Sequence, residues 1–213
     1  MTMDEHIVFI VDDDARVREG LSELLESHGM RAVAYGSAGE YVRAEKPDLP
    51  ACLILDVELP DINGLDLQKQ IVDGDHPPIV FITGHGDIPS SVRAIKHGAV
   101  DFLTKPFSDD DLMTAVQAGL AQDRKTRLGR AEMATLRERY SALTPRERDA
   151  LPLVVSGLLN KQAAAQLGIS EVTLQIHRRK VMQKMGAASL ADLVRISEKL
   201  QIPVTHSRRT AEA

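Results

Sequence analysis

The chain has 213 residues, 43% of them hydrophobic, a net charge of −5 and one cysteine. That allows one large domain or two small ones with real cores, and it excludes an internal disulfide. No apolar run approaches the roughly 20 residues of a membrane span, and the polar, acidic start over residues 1–6 is not a signal peptide, so a cytoplasmic protein with no membrane partner is expected.

The net charge hides a division. Residues 1–123 carry 9 Lys+Arg against 23 Asp+Glu, residues 124–140 carry 6 against 2, and residues 141–213 carry 11 against 6. An acidic first part and a basic last part predict two domains with different partners, the basic one suited to nucleic acid.

In chain order, Ile7-Val8-Phe9-Ile10-Val11 is a continuous apolar run that ends at Asp12-Asp13-Asp14. Such a run predicts a strand buried on both faces of a parallel sheet. Asp14 is placed to cap a helix carrying Val17, Leu21, Leu24 and Leu25, with Gly29 as its stop. A strand over 31–35 and a short helix over 37–44 follow. Cys52-Leu53-Ile54-Leu55 runs into Asp56, predicting a third buried strand with Asp56 at its carboxyl end, where open α/β sheets place their chemistry. Cys52 reads as an inert small hydrophobe in that strand. A turn over 61–64 and a helix bearing Leu65, Leu67 and Ile71 come next. Residues 78–83 form a fourth strand ending at Thr83, 88–97 a fourth helix, and 100–104 a fifth strand ending at Lys105-Pro106. Five strands alternating with helices predict an α/β fold, a five-stranded doubly wound parallel sheet.

That topology brings Asp12, Asp13, Asp56, Thr83 and Lys105 toward one edge. Crowded carboxylates repel unless a cation sits among them. Hard oxygen ligands from few residues suit Mg²⁺, which would favour phosphoryl transfer. With no serine or cysteine nearby, Asp56 is the plausible nucleophile, giving an aspartyl phosphate. Lys105 would pair with the phosphoryl oxygens and the Thr83 hydroxyl would donate to one. The histidines at 6, 28, 76, 85, 97 and 206 lack metal-ligand spacing, and His85 receives no catalytic role.

Val11-Asp12-Asp13, Asp56 with Pro60 and Gly64, Thr83-Gly84-His85-Gly86-Asp87 and Lys105-Pro106 stand in the order found in receiver domains. Residues 5–122 thus resemble the receiver domain of a two-component response regulator. The resemblance implies that Asp56 is phosphorylated by a sensor histidine kinase. It implies that Asp12 and Asp13 serve Mg²⁺ and that the Glu58 carbonyl completes the protein ligands. It makes Thr83 and Phe102 a switch pair and Lys105 the phosphate reader, joined to Pro106 by a cis bond. Phe102 stands where many such domains have tyrosine, keeping the ring without the hydroxyl.

Beyond the fifth strand, Ser108 or Asp109 caps a helix with Leu112, Met113, Val116 and Leu120 on one face. No proline follows until Pro145, and most residues between favour helix despite Gly119 and Gly129. One long helix is predicted from about Asp109 into the late 130s, with a flexible linker as the alternative. The domain division expected is receiver at 1–122, helical linker at 123–142, a second domain at 143–202 and a disordered tail at 203–213.

Thr144-Pro145-Arg146-Glu147 is a capping box with proline in the first turn. The helix it opens ends near Ser156, and Pro152 inside it predicts a kink. A short helix over 161–167, a turn at Gly168-Ile169-Ser170 and a longer basic helix to about Met185 make a helix-turn-helix. Ser189 caps a last helix. Residues 143–200 resemble the LuxR/FixJ-type DNA-binding domain, on Leu143-Thr144-Pro145-Arg146-Glu147, Gly157-Leu158-Leu159-Asn160-Lys161, and Gly168-Ile169-Ser170 through Thr173, His177 and Met185.

In the longer helix, Leu174, His177, Val181 and Met185 form the core stripe by spacing. Gln175, Ile176 and Arg179 lie off it on one face, suited to adenine, a thymine methyl and guanine. Arg178, Lys180 and Lys184 read as phosphate contacts, and Lys161 and Thr173 join the predicted DNA set. The expected whole is a phosphorylation-controlled regulator that dimerises when phosphorylated, binds promoter DNA and activates through RNA polymerase. It would be no enzyme beyond slow self-dephosphorylation. An aspartate-nucleophile phosphohydrolase is the alternative: it needs an acid two residues after the nucleophile, and Glu58 stands there. It would have no use for a helix-turn-helix.

Overall fold

The computed structural model describes residues 5–71, 76–85 and 88–203. It divides into two compact units, Met1–Arg127 and Leu128–Ala213. The predicted tail lies outside the described residues except for Pro203.

The first unit alternates β1 (Ile7–Val11), α1 (Ala15–Ser27), β2 (Arg31–Tyr35), α2 (Ala38–Arg43), β3 (Ala51–Asp56), α3 (Gly64–Ile71), β4 (Ile79–Thr83), α4 (Ile88–Lys96) and β5 (Asp101–Thr104). The strands form one parallel sheet in the order β2-β1-β3-β4-β5. β1, β3 and β4 are buried along their whole lengths, as their unbroken apolar runs require. Alternate residues feed two cores. Phe9, Leu53, Leu55 and Phe81 face α2, α3 and α4, while Val8, Ile10, Ile54, Val80 and Ile82 face Leu21 and Leu25 of α1 and Leu112, Val116 and Leu120 beyond β5. Each such fully buried side chain contributes about 1.5–3 kcal/mol.

Those last residues belong to α5 (Asp109–Ser141), a single helix of 33 residues. The predicted long helix is present, and the division between the units falls inside it. Gly119 explains part of its path. A Cβ there would stand 2.6 Å from the Cys52 sulfur, so the helix crosses β3 where it carries no side chain. The first unit keeps hold of α5 past residue 122. Buried Asp123 accepts a hydrogen bond from the Ala51 N–H at 2.8 Å and one from Arg127 Nε at 2.7 Å, and Arg127 also pairs with Asp48.

In the second unit, α6 (Pro145–Val155), α7 (Asn160–Leu167), α8 (Glu171–Met185) and α9 (Leu190–Lys199) pack with the end of α5. The Thr144–Glu147 capping box is formed, and Ser170 and Ser189 cap α8 and α9. α6 continues through Pro152 as one helix. Leu136 of α5 is buried with Leu143, Leu151, Val181, Met185 and Leu193, and a second cluster joins Ala150, Leu153, Ala163, Ala164 and Leu174.

Candidate functional site

The parallel register sets the first site. Val11 pairs with Leu55, Asp56 with Ile82 and Thr83 with Thr104. Asp12, Asp56, Thr83 and Lys105 therefore emerge at one level, at the carboxyl ends of β1, β3, β4 and β5. Gly64 lets the chain close against this edge, since a Cβ on it would lie 2.3 Å from the Asp56 carbonyl oxygen.

Asp12 is fully buried and Asp56 nearly so. Lys105 Nζ bridges them, donating to Asp12 Oδ2 at 2.7 Å and Asp56 Oδ2 at 2.8 Å. The other oxygens are steered by backbone: Asp12 Oδ1 accepts from the Asp14 N–H at 2.9 Å, and Asp56 Oδ1 from the Glu58 N–H at 3.1 Å. Asp13 is exposed, yet its carboxylate joins those of Asp12 and Asp56 with ligand atoms within 4.8 Å of one another. Burial pushes the Asp12 carboxyl above its ordinary value, and the Lys105 ammonium and the Asp14 N–H only partly offset it. Burial works against the Lys105 charge too, but its two carboxylate partners outweigh that and raise it. Three carboxylates around one ammonium leave negative charge in excess, so this pocket fits a divalent cation with oxygen preference.

Thr83 is buried, and its hydroxyl turns toward the following loop, accepting from the His85 N–H at 3.1 Å. Phe102 is half-buried, packed on the core with its ring 6.1 Å from that of Phe81. The Lys105–Pro106 bond is cis. His85 Nδ1 lies 3.3 Å from Glu58 Oε1, an exposed contact at the rim that spacing did not reveal.

The second site is the outer face of α8. Leu174, Val181 and Met185 are fully buried, and His177 is half-buried with an Nδ1 that has no hydrogen-bond partner among the described residues. Gln175, Ile176, Arg179 and Lys180 are exposed, as is Lys161 on α7, while Thr173 is half-buried and shares a hydrogen bond with Ser170. Two phosphate assignments need correction or refinement. Lys184 does not project away from the helix: its ammonium meets buried Glu147 at 2.7 Å and the Ala142 carbonyl at 3.1 Å. Arg178 is half-buried and donates to Asn160 Oδ1 at 3.3 Å. Val172, 67% exposed and one turn before Ile176, extends the apolar strip on this face. Its i, i+4 relation to Ile176 was the available signal.

The two units accord with the comparisons. Residues 8–117 match the response regulator receiver domain, and residues 141–197 match the bacterial regulatory proteins of the luxR family. Nodulation protein W of Bradyrhizobium diazoefficiens is 50% identical over 205 residues, 96% of this chain and 90% of that protein. Transcriptional regulatory protein FixJ of Azorhizobium caulinodans is 44% identical over 193 residues, 89% of this chain and 90% of that protein. The low-resolution structure of response regulator StyR superposes with a TM-score of 0.81 at 44% identity, covering 92% of this chain and 99% of that one. The chain belongs to the two-component response regulators that join a receiver domain to a luxR-type DNA-binding domain. It is a regulator of transcription, and the phosphohydrolase reading is not favoured. Among the described residues no helix is long and apolar enough to cross a membrane.

Proposed function

We propose that Asp56 accepts a phosphoryl group from a partner histidine kinase and that this switches binding of α8 to promoter DNA. The observation that carries the proposal is the Lys105 ammonium bridging Asp12 and Asp56 at 2.7 and 2.8 Å. It orients the Asp56 carboxylate, and it is placed to move with a phosphoryl oxygen once one is attached. Asp12, Asp13, Asp56 and the Glu58 carbonyl would hold Mg²⁺, which when bound supplies the positive charge that tolerates an incoming phosphate. Thr83 would leave its His85 contact for the phosphoryl group, and Phe102 would settle further into the core. The surface of α4 and β5 then changes shape and pairs with the same surface of a second receiver. A dimer places two reading helices on paired half-sites. Activation would proceed through RNA polymerase and self-dephosphorylation would be slow. A kinase partner and promoter DNA both imply work in the cytoplasm.

Asp56→Asn should abolish labelling by acetyl phosphate with Mg²⁺, while the wild type is labelled once per chain. Label retained on another aspartate overturns the assignment. Sedimentation with beryllofluoride should show a shift to dimer, and an unchanged mass would remove dimerisation from the mechanism. On α8, Arg179→Ala should cost about 1–3 kcal/mol at one base position and relax specificity there. Lys180→Ala should weaken binding to all sequences and lower the salt slope by about one. Exchanged outcomes would mean that α8 enters the groove turned about its own axis, with Lys180 at the bases and Arg179 at the phosphates.

A further inference from the structure

We propose that the last turns of α5 are part of the DNA-reading apparatus, with Arg139 as a positioning residue that sets how α8 is held. The inference rests on α8 being the helix that reads DNA.

Arg139 Nη1 donates to the Met185 carbonyl at 3.2 Å. Met185 is the last residue of α8, and its carbonyl is one of those that a helix end leaves without an intrahelical donor. A guanidinium there also meets the negative end of the helix dipole. The next residue, Gly186, has a φ of +67°, and a Cβ on it would come within 2.5 Å of Arg139 Nη1 and 3.0 Å of its Cζ. The guanidinium thus lies directly over a position where the chain carries no side chain.

A second bond runs the other way. Lys184 of α8 donates to the carbonyl of Ala142, the residue just after α5, at 3.1 Å. Beneath both bonds, Leu136 of α5 packs in one buried cluster with Val181 and Met185 of α8. The carboxyl-terminal half of α8 is therefore held both by the last turn of α5 and by the residue that follows it. The amino-terminal half is the part that exposes Val172, Gln175 and Ile176, with Arg179 just beyond. Hydrogen bonds to base edges hold only over donor–acceptor distances of about 2.7–3.2 Å. A small change in the pitch of α8 breaks such contacts while leaving longer-range attraction to phosphates in place.

The test uses the full-length, beryllofluoride-activated protein and two duplexes, one selected by the wild type and one of scrambled sequence, at fixed salt. Arg139→Met keeps the apolar stem and removes the donor. It should lower the ratio of selected to scrambled affinity about tenfold, or 1.4 kcal/mol, with scrambled-DNA affinity and salt slope unchanged. Arg139→Lys, which keeps a donor, should recover part of the ratio. Gly186→Asn tolerates the left-handed backbone and crowds Arg139 from the other side. It should reproduce the loss, and the double variant should be no worse than either single one. An unchanged ratio in Arg139→Met, with Arg179→Ala losing it, overturns the inference alone. A fall of both affinities with the thermal midpoint, which Arg139→Lys fails to relieve, shows a merely structural contact and also overturns it. No change in either affinity in both Arg179→Ala and Lys180→Ala removes α8 as the reading helix and takes this inference with it.

Discussion

Each unit holds a lysine against a buried carboxylate at nearly the same distance, and the two contacts have opposite characters. In the first unit Lys105 is shared between Asp12 and Asp56, with Asp13 close by. One positive charge faces three negative ones, and the Asp12 carboxyl is pushed up by its burial. In the second unit Lys184 meets one carboxylate, that of Glu147, besides the Ala142 carbonyl, and the Thr144 N–H donates to the same Glu147 oxygen at 2.8 Å. Burial opposes that charge as well, but the ammonium and the capping bond overcome it and hold the Glu147 carboxyl down at about 2. The second pair is satisfied, and it fastens the start of α6 to the end of α8. The first is left short of positive charge, which is compatible with a divalent cation beside it. Distance alone would not have separated them; the count of charges around each lysine does.

Removing each lysine should break the comparison open. Lys184→Met leaves Glu147 buried without its counter-ion, a loss on the order of 2 kcal/mol, less than for a fully buried pair because the Lys184 side chain is 35% exposed, and it falls on the second unit. Calorimetry should show that unit's transition moving down while the other stays; equal movement of both would contradict the contrast. Lys105→Met removes the ammonium that competes for the carboxylates. It should tighten Mg²⁺ binding by about tenfold, or 1.4 kcal/mol, whereas Asp13→Ala should weaken it. Titration calorimetry reads both, and weaker Mg²⁺ binding in Lys105→Met would mean that the lysine organises the site rather than competing for it.

The pH dependences should carry opposite signs. The Glu147 carboxyl is depressed from an ordinary 4.5 to about 2. Its contribution is complete above pH 4.5 and is lost as pH falls through about 2. Asp12 is raised instead, so without a divalent cation the folded form binds that proton more tightly, and this group favours folding as pH falls through its folded value. Acid titration of wild type against Glu147→Gln, followed on the second unit, should show the depressed group by its absence in the variant. Curves of the same shape would refute it.

Much of this was legible because it is local. Apolar runs ending in acids marked β1 and β3, the Thr144–Glu147 capping box marked the start of α6, and Ser189 marked that of α9. The parallel topology then carried Asp12, Asp56 and Lys105 to one edge without any knowledge of side-chain contacts. What failed to show was long in sequence and short in space. Lys184 and Glu147 are 37 residues apart, and Asp123 and Ala51 are 72 apart. Helical spacing assigned Lys184 to an outer face, but a long apolar stem lets an ammonium bend back to a buried partner. The division between units was legible to within a few residues: the charge balance changes sign after residue 123 and the units part after Arg127, although one uninterrupted helix crosses both points.

That uninterrupted helix has a consequence for how such proteins are recombined. An extended linker tolerates one residue more or less, since its ends reorient freely. α5 runs without a break from Asp109 to Ser141, with the boundary between units after Arg127. At 3.6 residues per turn, one residue deleted from it turns everything beyond the cut by about 100° around the helix axis. Seven residues make nearly two whole turns and restore the phase to within about 20°. Chimeras joining this receiver to another output domain should therefore work or fail with a periodicity in linker length, and the tolerated joints should recur at three, four or seven residues rather than at every one.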